Sequence, residues 1–256
     1  MKITLLQQNI NWGNPSLNVK EAERVMNLFP GSDLYVLPEM FSTGFCTQPE
    51  GLAEPVDSPT LAWMKEYASS RDCAVAGSVA VNEGQSYYNR FYFVNPDKTW
   101  SYYDKKHLFT YGKEHEHFTA GNRRVVVEFR GWRILLQICY DLRFPLWSRN
   151  RKDYDLALYV ASWPTSRVEA WNTLLHARAI ENQCYVAGVN RVGTDPNCEY
   201  SGGTILVDPY GRTVKECPRG EQSAVTVELD KAMLEAFREK FPVLDDADYF
   251  EMKNKE

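Results

Sequence analysis

The chain has 256 residues, of which 44% are hydrophobic and 25% charged, a composition that lets a globular protein bury a core without covalent staples. Its net charge of −5, with basic residues only in short pieces such as Lys105-Lys106-His107 and Arg149-Asn150-Arg151-Lys152, argues against a nucleic-acid partner. No run approaches the roughly 18 apolar residues of a membrane span, and the six cysteines show neither a CxxC pair nor Cys/His metal spacing.

Met1 opens almost directly onto the apolar strand of residues 2–8, so no signal peptide is expected and the cysteines read as reduced thiols of a cytoplasmic protein. Asn14-Pro15 starts a helix, with Asn as cap and Pro in its first turn. It runs to about Phe29, with Leu17, Val25 and Leu28 on one face, and Pro30-Gly31 stops it. Asp33–Leu37 is a second strand, ending at Pro38-Glu39. Ser58-Pro59 repeats the cap-and-proline signal before a helix to about Ser70. Cys73–Val81 is a third strand, rich in Ala and Val as a strand buried on both faces would be. Strands over Tyr88–Val94 and Trp100–Asp104 flank the turn Asn95-Pro96-Asp97-Lys98. Strands over Val125–Phe129 and Trp132–Ile138 flank the hairpin turn Arg130-Gly131. A strand at Leu156–Ala161 and a helix at Val168–Asn182 follow. Further strands are expected at Tyr185–Val189, Thr204–Val207, Thr213–Cys217 and Ala224–Glu228, and Asp230 caps a last helix to Lys240. Nothing resembling a linker or a repeat divides the chain. The order implies a single α/β domain over 1–256, with two sheets packed together and helices outside.

Within that frame, one cysteine stands apart. The apolar strand Ile134-Leu135-Leu136-Gln137-Ile138 delivers Cys139 to the point where the chain turns polar, Tyr140-Asp141-Leu142-Arg143. Open α/β sheets bind ligands beyond the carboxyl ends of their strands, so a nucleophile competes here with a buried structural thiol. Of the other cysteines, Cys73 and Cys184 read as core, and Cys46, Cys198 and Cys217 as loop or surface. Glu39 closes the run Leu34-Tyr35-Val36-Leu37-Pro38, where partial desolvation suits a carboxylate to general-base work; the alternative is a solvated loop acid. Lys105 follows a strand, where its ammonium could stabilise an oxyanion or simply face water. His115 and His117 are a possible metal pair without a third ligand, so no metal is expected. His107 reads as a local hydrogen-bonding residue and His176 as packing within its helix.

Glu39 in Leu-Pro-Glu-Met-Phe, Lys105 in Tyr-Asp-Lys-Lys-His-Leu-Phe and Cys139 in Ile-Cys-Tyr-Asp-Leu-Arg-Phe-Pro together resemble the three signatures of the nitrilase superfamily, carbon–nitrogen hydrolases with a Glu-Lys-Cys triad. The similarity runs from the first strand to about Val227. It implies a four-layer α-β-β-α sandwich, no cofactor, and a homodimer in which the tail from about Phe241 lies across the partner. It also implies that Glu114 is a second glutamate positioning the lysine, with Glu116 a nearby competitor, and that Tyr140 lends its backbone N–H, with Lys105, to an oxyanion hole. Trp163-Pro164, the helix Leu174–Asn182, Val186–Gly193 and the tail Asp-Asp-Ala-Asp resemble more narrowly the omega-amidase branch, which releases ammonia from small dicarboxylate monoamides such as 2-oxoglutaramate and succinamate. Such an enzyme must read a carboxylate, and Arg143 is the candidate, resembling the arginine so used in related amidases; the alternative is an ion pair with Asp141. Trp163 and Phe41 are expected to wall the pocket, unless they are core. The chemistry would run through a thioester on Cys139, with the Lys105 cation favouring the thiolate. Rival readings are an N-carbamoyl amino acid hydrolase, an aliphatic amidase or a nitrilase, and, more remotely, a non-catalytic interaction protein.

Overall fold

Alternation within apolar runs sets the architecture. A computed structural model describes residues 1–252, so the final residues of the expected domain, 253–256, lie outside the described residues. The first half of the chain forms β1 (Lys2–Gln7), α1 (Pro15–Leu28), β2 (Leu34–Val36), β3 (Glu54–Pro55), α2 (Pro59–Arg71), β4 (Ala74–Glu83), β5 (Ser86–Val94) and β6 (Trp100–Asp104). The second half forms β7 (Val126–Phe129), β8 (Trp132–Ile138), α3 (Pro145–Ser148), β9 (Leu156–Ala161), α4 (Val168–Asn182), β10 (Tyr185–Asn190), β11 (Val192–Thr194), β12 (Glu199–Ser201), β13 (Ile205–Val207), β14 (Thr213–Glu216), β15 (Ser223–Glu228) and α5 (Lys231–Lys240).

Among the described residues these strands make two large sheets, one in the order β15-β1-β2-β4-β5-β6 with β3 beside β4, the other β14-β13-β10-β9-β8-β7. The central strands are buried on both faces, because successive side chains point to opposite sides. Ile3, Leu34, Val36, Ala74, Phe91 and Phe93 of the first sheet meet Ile134, Leu136, Leu158, Val160 and Val189 of the second in the inner core. The alternate residues Tyr35, Val75 and Tyr92 face Ala22, Met26, Leu61 and Met64 of α1 and α2. On the far side, Leu135, Ala157 and Val186 face Trp171, Leu175 and Ala179 of α4. This is the α-β-β-α sandwich the family resemblance implies.

The helix starts follow their caps: Asn14 accepts from Leu17 N–H at 3.2 Å, Ser58 from Leu61 N–H at 3.1 Å and Asp230 from Met233 N–H at 3.0 Å, each contact worth about 1 kcal/mol. Some expectations need correction. The buried face of α1 is Asn18, Ala22, Val25 and Met26, while Leu17 and Leu28 are exposed; the i, i+4, i+7 stripe that meets the sheet starts one residue later. Cys46 and Cys217 are buried rather than superficial. Cys46 packs with Met40, Ala80, Leu108 and Phe118 in a pocket closed by loops, and Cys217 belongs to the inner core. His176 makes hydrogen bonds, to Asn172 O at 2.7 Å and Thr213 Oγ1 at 3.1 Å, rather than simply packing. The ribbon β11–β12 has no apolar run to announce it. Among the described residues no helix is long and apolar enough to cross a membrane.

Candidate active site

Strand ends from both sheets converge on one point. β2 stops at Val36, Leu37 N–H still bonds to Ala76 O at 2.7 Å, and Glu39 follows before Met40 turns in the left-handed region at φ +43°. β6 hands over to Lys105, whose N–H is held by Asn89 O at 3.0 Å. β8 hands over to Cys139 at φ +44°, the first residue of a 3-10 turn over Cys139–Arg143. Lys113, just before Glu114, has φ +63°. A side-chain-bearing residue in that region costs about 1 kcal/mol or more and persists where its surroundings enforce it. Here each such kink lies at or beside a residue of the site.

The resulting centre is dry. Glu39, Lys105 and Glu114 are each 0% exposed. Lys105 Nζ lies 2.9 Å from Glu39 Oε1 and 2.9 Å from Glu114 Oε2. Glu39 Oε2 accepts from Ser162 N–H at 2.8 Å, Glu114 Oε2 accepts from Phe109 N–H at 2.6 Å as well as from Lys105, and Glu114 Oε1 lies 3.2 Å from Lys105 Nζ. Asn89 on β5 bridges the two acids, donating to Glu39 Oε1 at 2.7 Å and Glu114 Oε1 at 3.2 Å, while its own oxygen accepts from Ser78 Oγ at 2.9 Å. Burial raises the Glu114 carboxyl, although Lys105 opposes it. Burial alone would lower the Lys105 ammonium, but Glu114 and Glu39 outweigh it and hold the amine well above its ordinary value. The Cys139 thiol, hydrogen-bonded to Glu39, is pushed far up by burial and by that carboxylate. Lys105 acts the other way and loses. The expectation that Lys105 would favour a resting thiolate is therefore corrected: its charge is already spent on two acids. A thiol so held needs a base at the moment of attack, and Glu39 is in contact with it.

A buried carboxylate that the motif contained, but to which no role was assigned, ties the cysteine turn to the lysine loop. Asp141 accepts from Ile138 N–H at 3.0 Å, from Tyr103 Oη at 2.8 Å and from His107 N–H at 3.0 Å, with His107 Nδ1 at 2.8 Å. Tyr103 and His107 stand two residues to either side of Lys105, and His107 stacks on Phe144 with centroids 3.8 Å apart. Asp141→Asn would place amide hydrogens against this ring of donors, at a cost of about 1–3 kcal/mol. The expected result is a kcat lowered roughly 100-fold with KM nearly unchanged, because a small misplacement of reacting groups costs about that much. Steady-state kinetics with wild-type kcat in this variant would reject the role.

Beyond Cys139 opens a cleft bordered by Phe45, Phe109, Tyr140, Arg143, Trp163 and Arg167 among others. Tyr140 sets its ring edge-to-face on Phe109 and Phe144. Its N–H lies at the start of the 3-10 turn, where amides lack an intrahelical acceptor. Arg143 is exposed at the mouth and lies 4.9 Å over the Trp163 ring; it forms no ion pair with Asp141. Trp163 is on the cleft. Phe41 is not: it is 0% exposed and packs on Trp63 in the outer core, with Gly77 leaving room for its ring. The tight turn at Met40 moves the next side chains around, and Phe45 takes the wall instead, its ring 5.2 Å from Lys105 Nζ. Glu116 stays outside the centre, 3.9 Å from Lys113. His117 faces Glu50 at 3.2 Å, and among the described residues no group of three or more His, Cys, Asp or Glu side chains is gathered as for a metal. Asn89, Asp141, Phe45 and Arg167 are given no site role by the sequence reasoning. Asn89 had a signal, a small amide inside the aromatic strand Tyr87-Tyr88-Asn89-Arg90-Phe91.

Comparison with known proteins bears on this geometry. A family model described as carbon–nitrogen hydrolase matches residues 2–239. The chain is 46% identical to the omega-amidase YafV of Yersinia enterocolitica over 251 residues, 98% of each. It is 37% identical to the 2-oxoglutaramate amidase of Bacillus subtilis over 250 residues, covering 95% of this chain and 96% of that one. The crystal structure of XC1258 from Xanthomonas campestris, a CN-hydrolase superfamily protein with an arsenic adduct in its active site, superposes with a TM-score of 0.96 at 41% identity, covering 99% of both chains.

Proposed function

The chain belongs to the carbon–nitrogen hydrolase family, and from that premise we propose that it is an omega-amidase, releasing ammonia from the terminal amide of small dicarboxylate monoamides such as 2-oxoglutaramate and succinamate. The observation that carries this reading is the cleft over Cys139, which presents guanidinium groups that have no acidic partner among the described residues. A pocket with uncompensated cations favours an anionic substrate, and the relatives named above act, by their names, as omega-amidase and 2-oxoglutaramate amidase.

The proposed sequence uses groups of the buried centre and of the cleft beside it. Glu39 takes the Cys139 proton as sulfur attacks the amide carbon. The oxyanion gathers on the Lys105 ammonium and the Tyr140 N–H. Glu39 returns its proton to the leaving nitrogen, and ammonia departs from a thioester. Glu39 then deprotonates water, which adds to the thioester carbonyl, and the sulfur leaves with the proton. Glu114 and Asn89 keep Lys105 and Glu39 in register throughout. Arg143 reads the far carboxylate and Trp163 supports it.

The test is a panel of succinamate, a neutral aliphatic amide, an N-carbamoyl amino acid and a simple nitrile, read by ammonia release. Succinamate should be the best of the four. Arg143→Met is expected to raise KM for succinamate about 10–100-fold, the loss of a charge-assisted bidentate contact, and to leave the neutral amide within a small factor. Equal effects on both would remove Arg143 from substrate binding. We also propose a cytoplasmic homodimer. Ile180 of α4, Tyr210, Val214 and Phe241 are all exposed, and light scattering at the monomer mass would reject the assembly. The tail is proposed to reach the partner; within one chain Asp245 pairs with Lys152 at 2.5 Å and Phe250 lies under Arg151.

A further inference from the structure

The stretch Val186–Gly193 has no part in the chemistry above, yet it carries a fully buried amide. Asn190 is the last residue of β10 and is 0% exposed. β10 runs parallel to β9, with Asn190 opposite Ala161, and beyond that pair the ladder ends. The Asn190 side chain takes over where the ladder stops. Its Oδ1 accepts from Trp163 N–H at 2.8 Å and its Nδ2 donates to Trp163 O at 2.9 Å, the two bonds that a facing residue of an antiparallel strand would make. Nδ2 also donates to Gly202 O at 2.7 Å, and Oδ1 also accepts from Arg191 N–H at 3.0 Å. Both donors and both acceptor positions of the amide are thus in use. Thr204 fixes Asn190 in turn: its Oγ1 accepts from Asn190 N–H at 3.0 Å and donates to Asn190 O at 2.9 Å.

What this clamp holds bears on Glu39. Ser162 stands between Ala161, the end of β9, and Trp163. Its N–H is the donor to Glu39 Oε2, and its Oγ donates to Glu39 O at 3.3 Å. The other carboxylate oxygen, Oε1, is held separately by Lys105 and Asn89. Peptide units are planar, so the direction of Ser162 N–H follows from the strand before it and from the backbone of Trp163 after it. We infer that Asn190 is a positioning residue for Glu39: by clamping both backbone groups of Trp163 it aims Ser162 N–H at the carboxylate that must take the Cys139 proton. This rests on Glu39 as the base of the proposed mechanism and does not depend on which amide is hydrolysed. The ionisable groups facing Glu39 are Lys105, Glu114 and Cys139, and Cys46 also feels its charge. Replacing Asn190 removes none of them.

The experiment measures kcat and KM against pH for wild type, Asn190→Ala and a control, Asn150→Ala, on succinamate and a neutral aliphatic amide. Asn150 is a comparably buried asparagine that donates to Tyr154 O at 3.0 Å and Asn182 O at 2.9 Å, away from the centre. Asn190→Ala should lower kcat on both amides roughly 10–100-fold, the scale of a small misplacement of a reacting group, and leave KM for the neutral amide within about threefold. The acid limb of kcat/KM should move to higher pH, because a carboxylate that loses a donor to its charged form binds a proton more readily. Asn150→Ala should melt earlier but keep the wild-type kcat and pH profile. Thr204→Val removes the hydroxyl that holds the Asn190 backbone. It should show both kinetic changes to a smaller degree, and it decides the matter if Asn190→Ala does not fold. Wild-type kcat and acid limb in the folded variant, or the same changes in Asn150→Ala, overturn the assignment. A lower kcat with an unmoved acid limb shows a packing role, and a higher KM alone shows a role in shaping the cleft; both overturn it. Wild-type enzyme that releases no ammonia from either amide overturns the proposed mechanism itself, an outcome visible before any variant is compared.

Discussion

Cys139→Ala is expected to lower ammonia release by roughly four to six orders of magnitude, the scale on which loss of a covalent nucleophile is felt when its partners are intact. The fold should survive, because the substitution removes only the sulfur and leaves the Cβ and the turn over Cys139–Arg143 as they are. Substrate binding should survive as well, since the proposed carboxylate contacts are elsewhere in the cleft. The measurement is single-turnover and steady-state ammonia release, together with substrate affinity by calorimetry. Turnover within tenfold of wild type would remove the thioester from the mechanism. The thiol's upward shift makes a linked statement. Alkylation of wild-type Cys139 should be slow at neutral pH and should accelerate as pH rises, because burial and Glu39 hold the proton on sulfur.

Lys105→Met is expected to remove nearly all activity and to destabilise the fold by about 3–5 kcal/mol, the cost of breaking a buried ion pair from one side. The substitution leaves Glu39 and Glu114 buried together around Asn89 with no cation. The pH dependence distinguishes this from simple loss of packing. In the wild type the Lys105 amine is raised, so its contribution is complete below its unfolded value, about 10.4, and fades only as pH climbs through the higher folded value. In the variant, Glu114, already raised by burial, loses the cation that opposed the rise. A carboxyl whose folded pKa exceeds its unfolded value of about 4.3 binds more protons when folded, so stability falls as pH rises between the two and stays low above. The deficit should therefore be smaller at pH 5 than at pH 8 in thermal melts. Adding Glu114→Gln should recover part of it at pH 8. Equal deficits at both pH values would mean that the charge arrangement does not govern stability here.

Much of the molecule was readable in advance because local chemistry is written locally. Runs such as Leu34-Tyr35-Val36 and Ile134–Ile138 read as strands, and Cys73–Val81 as one covered on both faces. Caps at Asn14, Ser58 and Asp230 marked helix starts within a residue. The resemblance of three motifs then implied the sandwich, and the comparisons bear out the family. The errors have a common cause. Alternation shows that neighbouring residues face opposite sides, but in a doubly buried strand or a kinked loop it does not say which side holds the site. Phe41 therefore went to the outer core and Phe45 to the cleft wall, and Cys46 and Cys217 were buried by segments far away in sequence.

From the chain alone, then, came the elements, their faces and the identity of the reactive groups, because period, caps and residue chemistry act over a few positions. Only the tertiary structure decided what those groups do to one another. The sheet order brings Lys105 to Glu39 across 66 residues and Ser162 to the same carboxylate across 123. Removal of water then turns Asn89 into a bridge and keeps Cys139 protonated, and the same folding sets two arginines on the cleft beside it. Charge and hydrogen bonding in such a centre depend on distance and on the absence of solvent, and neither is a property of any one stretch of sequence.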